Sequence, residues 1–286
     1  MTPVRLDTGP VVLIGHDGML GTAWRAELDR ASIPHHDVSF PDFDLTRADH
    51  LAGLPLVEGG LVINCSGWTD VDGAERDEAA ATRLNGDAVG ALAERCVQAR
   101  CTVVHYSTDY VFDGEATAPY PVDGLQRPLS AYGRSKAAGE RKLWACGGSF
   151  LLVRTSWLYA PWGNNFVRTI ARLVRERATI SVVDDQRGRP TSAEHLAAAT
   201  RRLLEAGVRG NVHVTDAGEC TWFGFAAAIA AVVAPSCEVR ACSTAEFPRP
   251  ARRPPYSVLD VARAEASLGP MPTWQANLAA VLSRLP

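Results

Sequence analysis

The chain has 286 residues, of which 47% are hydrophobic and 21% charged, the latter divided between 29 basic and 32 acidic side chains. Those proportions exclude a disordered or collagen-like chain, and a net charge of -3 leaves no global basic field to hold nucleic acid. A chain of this length buries roughly 75% of its extended surface, so its core needs neither disulfides nor a structural metal, and one large domain with a smaller lobe is expected.

The seven cysteines, Cys65, Cys96, Cys101, Cys146, Cys220, Cys237 and Cys242, are odd in number and form no CxxC pair, which predicts reduced thiols. Met1 to Pro10 carries one Arg and one Asp before a four-residue apolar run. That is far short of a secretory apolar region of about 7 to 15 residues, and no 18-residue apolar stretch follows, so a cytoplasmic protein without a membrane partner is expected. The histidines form no HExxH or comparable ligand cluster, and no metal site is predicted from the residues.

The first apolar run, Val11 to Ile14, stops at Gly15 and leads into a helical pattern through Leu20, Trp24 and Leu28. Gly15-His16-Asp17-Gly18-Met19-Leu20-Gly21 is therefore a GxxGxxG turn between strand and helix. Gly15 permits the tight turn, Gly18 lets the backbone approach a pyrophosphate, and Gly21 permits close helix packing, while the helix N-terminus offers free N–H groups. The acid that accepts ribose hydroxyls belongs near the end of a second strand, where Asp37 and Asp42 both stand without a clean apolar run before them. A strand at Leu61 to Asn64, a helix from Ala79 to Gln98 and a strand from Thr102 to Tyr106 continue the alternation of parallel β/α units.

Ser107-Thr108-Asp109 follows that strand, at the edge where such sheets meet ligands. After a Gly/Pro-rich loop from Asp113 to Pro128, a helix is predicted from Tyr132 to Trp144. Tyr132 and Lys136 are four residues apart, offset by about 40° around a helix and about 6 Å along it, so both can face one cleft. A phenol with an ordinary pKa near 10 is a poor proton-transfer group at neutral pH, and a neighbouring ammonium makes it a better one. A strand at Phe150 to Val153 follows. Beyond it come helices at Phe166 to Arg175, Ala193 to Ala206 and Trp222 to Val233, with short strands near Ile180 to Val183 and Val212 to Val214. The proline cluster from Phe247 to Pro255 can only be a surface or cleft-lining loop.

Taken together, these residues resemble the dTDP-4-dehydrorhamnose reductase family of extended short-chain dehydrogenases/reductases, over nearly the whole chain. The most specific pieces are Val62-Ile63-Asn64, Ser107 through Gly114, Pro128 through Glu140, Arg154 through Tyr159, Asp185 through Thr191 and Pro250 through Pro254. The resemblance implies an α/β fold, a Rossmann-like doubly wound parallel sheet with a smaller C-terminal substrate-binding lobe. The dinucleotide and catalytic portion would occupy residues 1–160, and residues 161–286 would be mainly the lobe, with some segments returning to the sheet.

It further implies Thr108, Tyr132 and Lys136 as the catalytic group. Gly15, Gly18, Met19, Leu20, Gly21, Asp42, Ser66, Gly67, Trp68, Thr69 and Asn85 would surround NADPH or NADH together with Tyr132 and Lys136. Asp109, Val111 and Trp157 would contact the deoxysugar, with Asn165, Arg189 and Arg252 near the nucleotide; guanidinium groups suit a diphosphate on their own chemistry. The implied reaction is reduction of dTDP-4-dehydro-L-rhamnose at C4 to dTDP-L-rhamnose. The alternatives are reduction of another dTDP-linked 4-keto-6-deoxy sugar of secondary metabolism, or a non-catalytic nucleotide-binding regulatory subunit. Trp68, Asp70 and Val122 depart from the family pattern. Some members hold magnesium through glutamates at a subunit contact; Glu194 matches one of these, but Ala23 stands where another would be. A monomer or homodimer is expected.

Overall fold

The computed structural model describes residues 10–285, so the expectation for Met1 to Pro10 falls largely outside the described residues. Six strands, β1 (Val11–Ile14), β2 (His35–Val38), β3 (Leu61–Asn64), β4 (Thr102–Thr108), β5 (Phe150–Thr155) and β6 (Gly210–His213), form one sheet in the order β6-β5-β4-β3-β1-β2. Every pairing is parallel. The order reverses between β1 and β3, and the C-terminal ends of strands beside such a reversal open onto a ligand crevice.

Alternate residues of β1 enter different cores. Val11 and Leu13 pack with Trp24 and Leu28 of the helix Met19–Arg30 and with Leu196 and Leu203 of the helix Ala193–Glu205. Val12 and Ile14 pack on the other face with Leu92, Cys96 and Leu143. Strands covered on both faces read as continuous apolar runs, as β1 and β3 do. β2 is different because it lies at the sheet edge and is partly exposed. Its sequence, His35-His36-Asp37-Val38, carries no apolar run for that reason. A third core gathers Val167, Ile170 and Val174 with Phe225, Ile229, Trp274 and Leu278. The first three follow the i, i+3, i+7 spacing of one helix face. Chain beyond residue 160 therefore contributes both to this core and, through β6 and Ala193–Glu205, to the central sheet.

The single helix expected from Ala79 to Gln98 is interrupted. Helix Glu78–Thr82 passes through a π-helical turn at Arg83–Asp87 before Ala88–Gln98 resumes. The extra residue in that turn aims the Asn85 side chain sideways, where it makes three bonds described below; such turns recur at functional sites. The strand Thr179–Val183 pairs with Glu238–Cys242, whose exposed, charged sequence gave no strand signal.

The helix Ala131–Ala145 is tied to β5 by a buried ion pair. Nε and Nη2 of Arg154 donate to Oε1 and Oε2 of Glu140 at 2.9 and 2.6 Å, and Nη1 donates to the Val122 carbonyl at 2.8 Å. Both side chains are at most 1% exposed. Burial and Arg154 together push the neighbouring His213 down to about 3, so its imidazole stays neutral.

Candidate active site

The glycine turn is shaped for a ligand that comes close to backbone. Gly15 adopts φ +79°, and a Cβ there would lie 2.8 Å from Ser66 Oγ and 2.9 Å from Ser66 N. A Cβ on Gly21 would lie 1.9 Å from the Gly15 carbonyl oxygen, so only glycine lets the helix begin this close to the turn. Gly18 is the N-cap of Met19–Arg30 and supplies no side-chain cap, which leaves the first-turn N–H groups for an anion. Gly15 and Gly18 face Ser66, Gly67 and Trp68 across a cavity of about 420 Å³. These features fit a dinucleotide pyrophosphate.

Several expected cofactor residues stand elsewhere. Asp42 is exposed and outside the cavity wall, whereas Asp44 lines it. The turn closed by the Phe43 N–H on the Ser39 carbonyl sends Phe43 and Leu45 into the core and leaves Asp44 between them on the cleft. Bonds from the Thr46 hydroxyl and N–H hold the Asp44 carboxyl below the usual carboxylate range. Leu20 is buried in the core and Thr69 is exposed beyond the cavity. Met19 offers its carbonyl to Trp162 Nε1 at 3.1 Å. Asn85 is 1% exposed and acts as a brace: its Oδ1 accepts from Trp68 N–H at 2.8 Å, and its Nδ2 donates to the Trp68 carbonyl at 3.0 Å and to Ser135 Oγ at 2.9 Å. It joins the Gly67-Trp68 loop to the helix that carries Tyr132.

That helix starts at Ser130, whose Oγ accepts from Gly133 N–H at 3.2 Å. Gly133 must lack a Cβ because one would sit 2.2 Å from the Tyr110 carbonyl. The close approach brings Tyr110 edge-on to Tyr132, ring centroids 5.6 Å apart. Tyr132 also packs beside Trp68 against Ala74, Ala81 and Ala131. Lys136 is buried, donates from Nζ to the Tyr106 carbonyl at 2.6 Å, and lies 3.6 Å from where a Gly67 Cβ would be. Thr108, the last residue of β4, donates to Asp109 Oδ1 at 2.9 Å and accepts from Tyr110 N–H at 3.2 Å.

The electrostatics revise the simple phenol-ammonium picture. Burial pushes Tyr132 up to about 12, the Thr108 hydroxyl opposes the rise, and Asp109 adds to it. The phenol is thus held protonated, the form that donates. Burial pulls Lys136 down to about 8, with Glu140 and Cys65 opposing. Asp109 is pushed up to about 6 by burial, against bonds from Ser257 and Thr108, and its Oδ2 is buried without a partner.

A pH dependence follows. Lys136 is cationic below about pH 8 and neutral above it, so a step that needs the ammonium loses rate as pH rises through that value. We expect kcat/KM for carbonyl reduction to fall about tenfold per pH unit on the alkaline side. A profile from pH 6 to 10 checks this, and Lys136→Arg should remove the descending limb even where the rate is lower.

On the substrate side the residues divide. Arg189 has Nε and Nη1 buried without partners, an arrangement that an anion can satisfy. Trp157 adopts φ +48°, a strained value for a bulky residue. Its indole stacks on Trp222 at 3.5 Å and closes against Gly188, where a Cβ would meet the ring at 2.6 Å. Arg252 is exposed on the wall of a second cavity, of about 390 Å³, beside Gln186 and Arg253. Val111, in contrast, is 0% exposed and packs with Phe112, Tyr120 and Leu259, so its side chain is core. Asn165 is committed to capping: Oδ1 accepts from Arg168 N–H, and Nδ2 donates to the Ala160 and Trp162 carbonyls. Glu194 is engaged by Arg284 and Ala23 is buried, so these two positions do not fit a magnesium site, and no group of three or more ligating side chains occurs among the described residues.

A parallel sheet reversed at β1, a glycine turn on that reversal and a Tyr132-Lys136 helix one unit beyond Thr108 define a Rossmann-type short-chain dehydrogenase/reductase. The family model for the RmlD substrate binding domain matches residues 9–286, and the chain belongs to this family, that of the dTDP-4-dehydrorhamnose reductases. It is 40% identical over 251 residues to a dTDP-4-dehydrorhamnose reductase of Burkholderia thailandensis, covering 81% of this chain and 84% of that one. It is 39% identical over 278 residues to a probable dTDP-4,6-dihydroxy-2-methyloxan-3-one 4-ketoreductase of Streptomyces antibioticus, covering 93% and 92%. The crystal structure of dTDP-4-dehydrorhamnose reductase from Bacillus anthracis in complex with NADP superposes with a TM-score of 0.89 at 32% identity, covering 96% of this chain and 99% of that one.

Proposed function

We propose that this chain reduces the C4 keto group of a dTDP-linked 4-keto-6-deoxy sugar, dTDP-4-dehydro-L-rhamnose to dTDP-L-rhamnose, with NADPH or NADH. The observation that carries the reading is that Tyr132, kept protonated by burial and met by the Thr108 hydroxyl, packs beside Trp68, a residue that lines the glycine-walled cleft. A reduced nicotinamide, when bound, supplies the hydride. Tyr132 donates its phenolic proton to the carbonyl oxygen as that oxygen takes up charge. Thr108 orients the oxygen, and the Lys136 ammonium lowers the cost of the tyrosinate left behind. Gly15, Gly18, Ser66 and Gly67 bind the dinucleotide through backbone, with Asp44 and not Asp42 as the acid of the cleft. Trp157 and Asp109 face the sugar, and Arg189 and Arg252 take the diphosphate. Residues 161–286 act mainly as the lobe that closes over the nucleotide sugar. No helix among the described residues is long and apolar enough to cross a membrane.

The Streptomyces relative, a probable 4-ketoreductase of a different dTDP sugar, favours a second reading in which the substrate is another 4-keto-6-deoxyhexose. NMR analysis of products from a panel of dTDP-4-keto sugars with each cofactor separates the two. A dominant dTDP-L-rhamnose signal supports the first, and its absence beside a different reduced sugar supports the second. Arg189→Gln is expected to raise KM for the nucleotide sugar about 10- to 100-fold with little change in cofactor KM, since charge-assisted bonds to a diphosphate carry about 1.5 to 3 kcal/mol; steady-state kinetics with each substrate varied in turn checks this.

A further inference from the structure

The short helix Val71–Arg76 stands where three parts of the proposed site meet. It follows directly on the Trp68-Thr69-Asp70 loop, and Asp70 caps it by accepting from Gly73 N–H at 2.8 Å. From its first turn Asp72, 8% exposed, reaches a segment about 180 residues further along the chain. Its Oδ2 accepts from Nε and Nη2 of Arg249 at 2.9 and 2.5 Å and from Nη2 of Arg253 at 3.0 Å. Its Oδ1 accepts from Nη1 of Arg253 at 2.9 Å and from the Ala251 N–H at 3.1 Å. One turn on, Glu75 accepts from the N–H of Ala131 at 2.8 Å, the residue before Tyr132.

We propose that this helix is a junction that registers the cofactor side of the cleft against the substrate side, with Asp72 positioning the Arg249–Arg253 strap and Glu75 positioning the catalytic helix. That the strap meets substrate rests on the function proposed above. The charge balance agrees with it. One carboxylate answers two guanidinium groups, and Arg252 makes no ion pair among the described residues, so the strap keeps positive charge on the wall of the cavity it lines. Five donors on one carboxylate fix the backbone at Ala251 as well as two side chains, which pre-pays the ordering that a mobile strap would otherwise cost on binding. Burial raises the Asp72 carboxyl, but the Arg253, Ala251 and Arg249 donors outweigh it and hold the group ionised.

Limited trypsin digestion reads the junction without any substrate. Arg249 and Arg253 each precede a proline, which blocks trypsin, so Arg252–Arg253 is the bond in Phe247–Tyr256 that trypsin can cut. Asp72→Asn should be cut there at least tenfold faster than the parent enzyme, and Glu75→Gln at the parent rate. In steady state, Asp72→Asn should raise KM for the nucleotide sugar about tenfold with kcat within about twofold, whereas Glu75→Gln should lower kcat and keep KM. Arg249→Gln, which leaves the Arg253 pair in place, should move both readouts in the Asp72→Asn direction by less, and covers the case in which Asp72→Asn does not fold. An unchanged cutting rate at Arg252 in Asp72→Asn and Arg249→Gln, or kcat and KM worsening together in both the Asp72 and Glu75 variants, overturns the junction. A parent enzyme that turns over no 4-keto sugar overturns the proposed function instead, and the digestion arm then decides the junction alone.

Discussion

Tyr132→Phe is expected to lower kcat for reduction by about 10²- to 10⁴-fold, the range that a positioned general acid contributes, while leaving cofactor affinity near its parent value. The substitution removes one oxygen. The ring keeps its packing beside Trp68 and its edge contact with Tyr110, so the helix Ala131–Ala145 has no reason to move. What is lost is a donor that burial and Asp109 keep protonated far into the alkaline range. With the phenol gone, Thr108 still has a hydroxyl near the substrate oxygen, but its one proton is donated to Asp109 at 2.9 Å, and an aliphatic hydroxyl is a far weaker acid than the phenol it would replace. Single-turnover and steady-state rates, with cofactor binding measured separately, check the split. A loss shared equally between kcat and cofactor binding would place Tyr132 in structure and not in proton transfer.

Glu140→Ala is expected to destabilise the fold by about 3 to 5 kcal/mol, the cost of leaving a buried charge without its partner. Arg154 sits on β5 with its guanidinium 5.2 Å from the Phe112 ring, and among the described residues its only carboxylate partner is Glu140. The Val122 carbonyl can still accept one bond, but the donors that served Glu140 are left at 1% exposure without their carboxylate. Denaturant titration of the variant reads the loss directly, and replacing both partners with apolar residues should restore part of it. A change below about 1 kcal/mol would show that the pair is not what holds the catalytic helix to the sheet. Glu140 also supports the charge on Lys136, so surviving Glu140→Ala enzyme should show its alkaline limb at lower pH than the parent.

The parts of the fold that could be read ahead of the structure were those whose burial is local in cause. β1 and β3 announce themselves because both of their faces are covered, and the glycines announce the turn because no other residue fits it. β2 could not be read, because an edge strand has no need of an apolar run. The break at Asn85 was hidden for a different reason: the π-helical turn is set by bonds to Trp68 and Ser135, residues 17 and 50 positions away. The site shows the same division. Tyr132 and Lys136 declare a shared face by spacing alone, whereas Val111 and Asn165 carry family resemblance yet spend their side chains on core packing and a helix cap. Asp42 and Asp44 are distinguished by the Ser39–Phe43 turn, which no periodicity reveals. Asp72 and Glu75 lie in a short charged run, Asp70 to Arg76, that carries no signal of its own; their roles depend on partners 56 to 181 residues away.

The most direct measurement is transfer of label from cofactor to sugar. Purified enzyme is given the dTDP-4-keto-6-deoxy sugar formed in situ together with NADPH deuterated at nicotinamide C4 on the transferable face, and the product is read by NMR. The account predicts one equivalent of reduced cofactor consumed per sugar, deuterium at C4 of the product sugar, and loss of both in Tyr132→Phe. Reduced cofactor that persists unchanged with every such sugar, or label appearing anywhere other than C4, would contradict it.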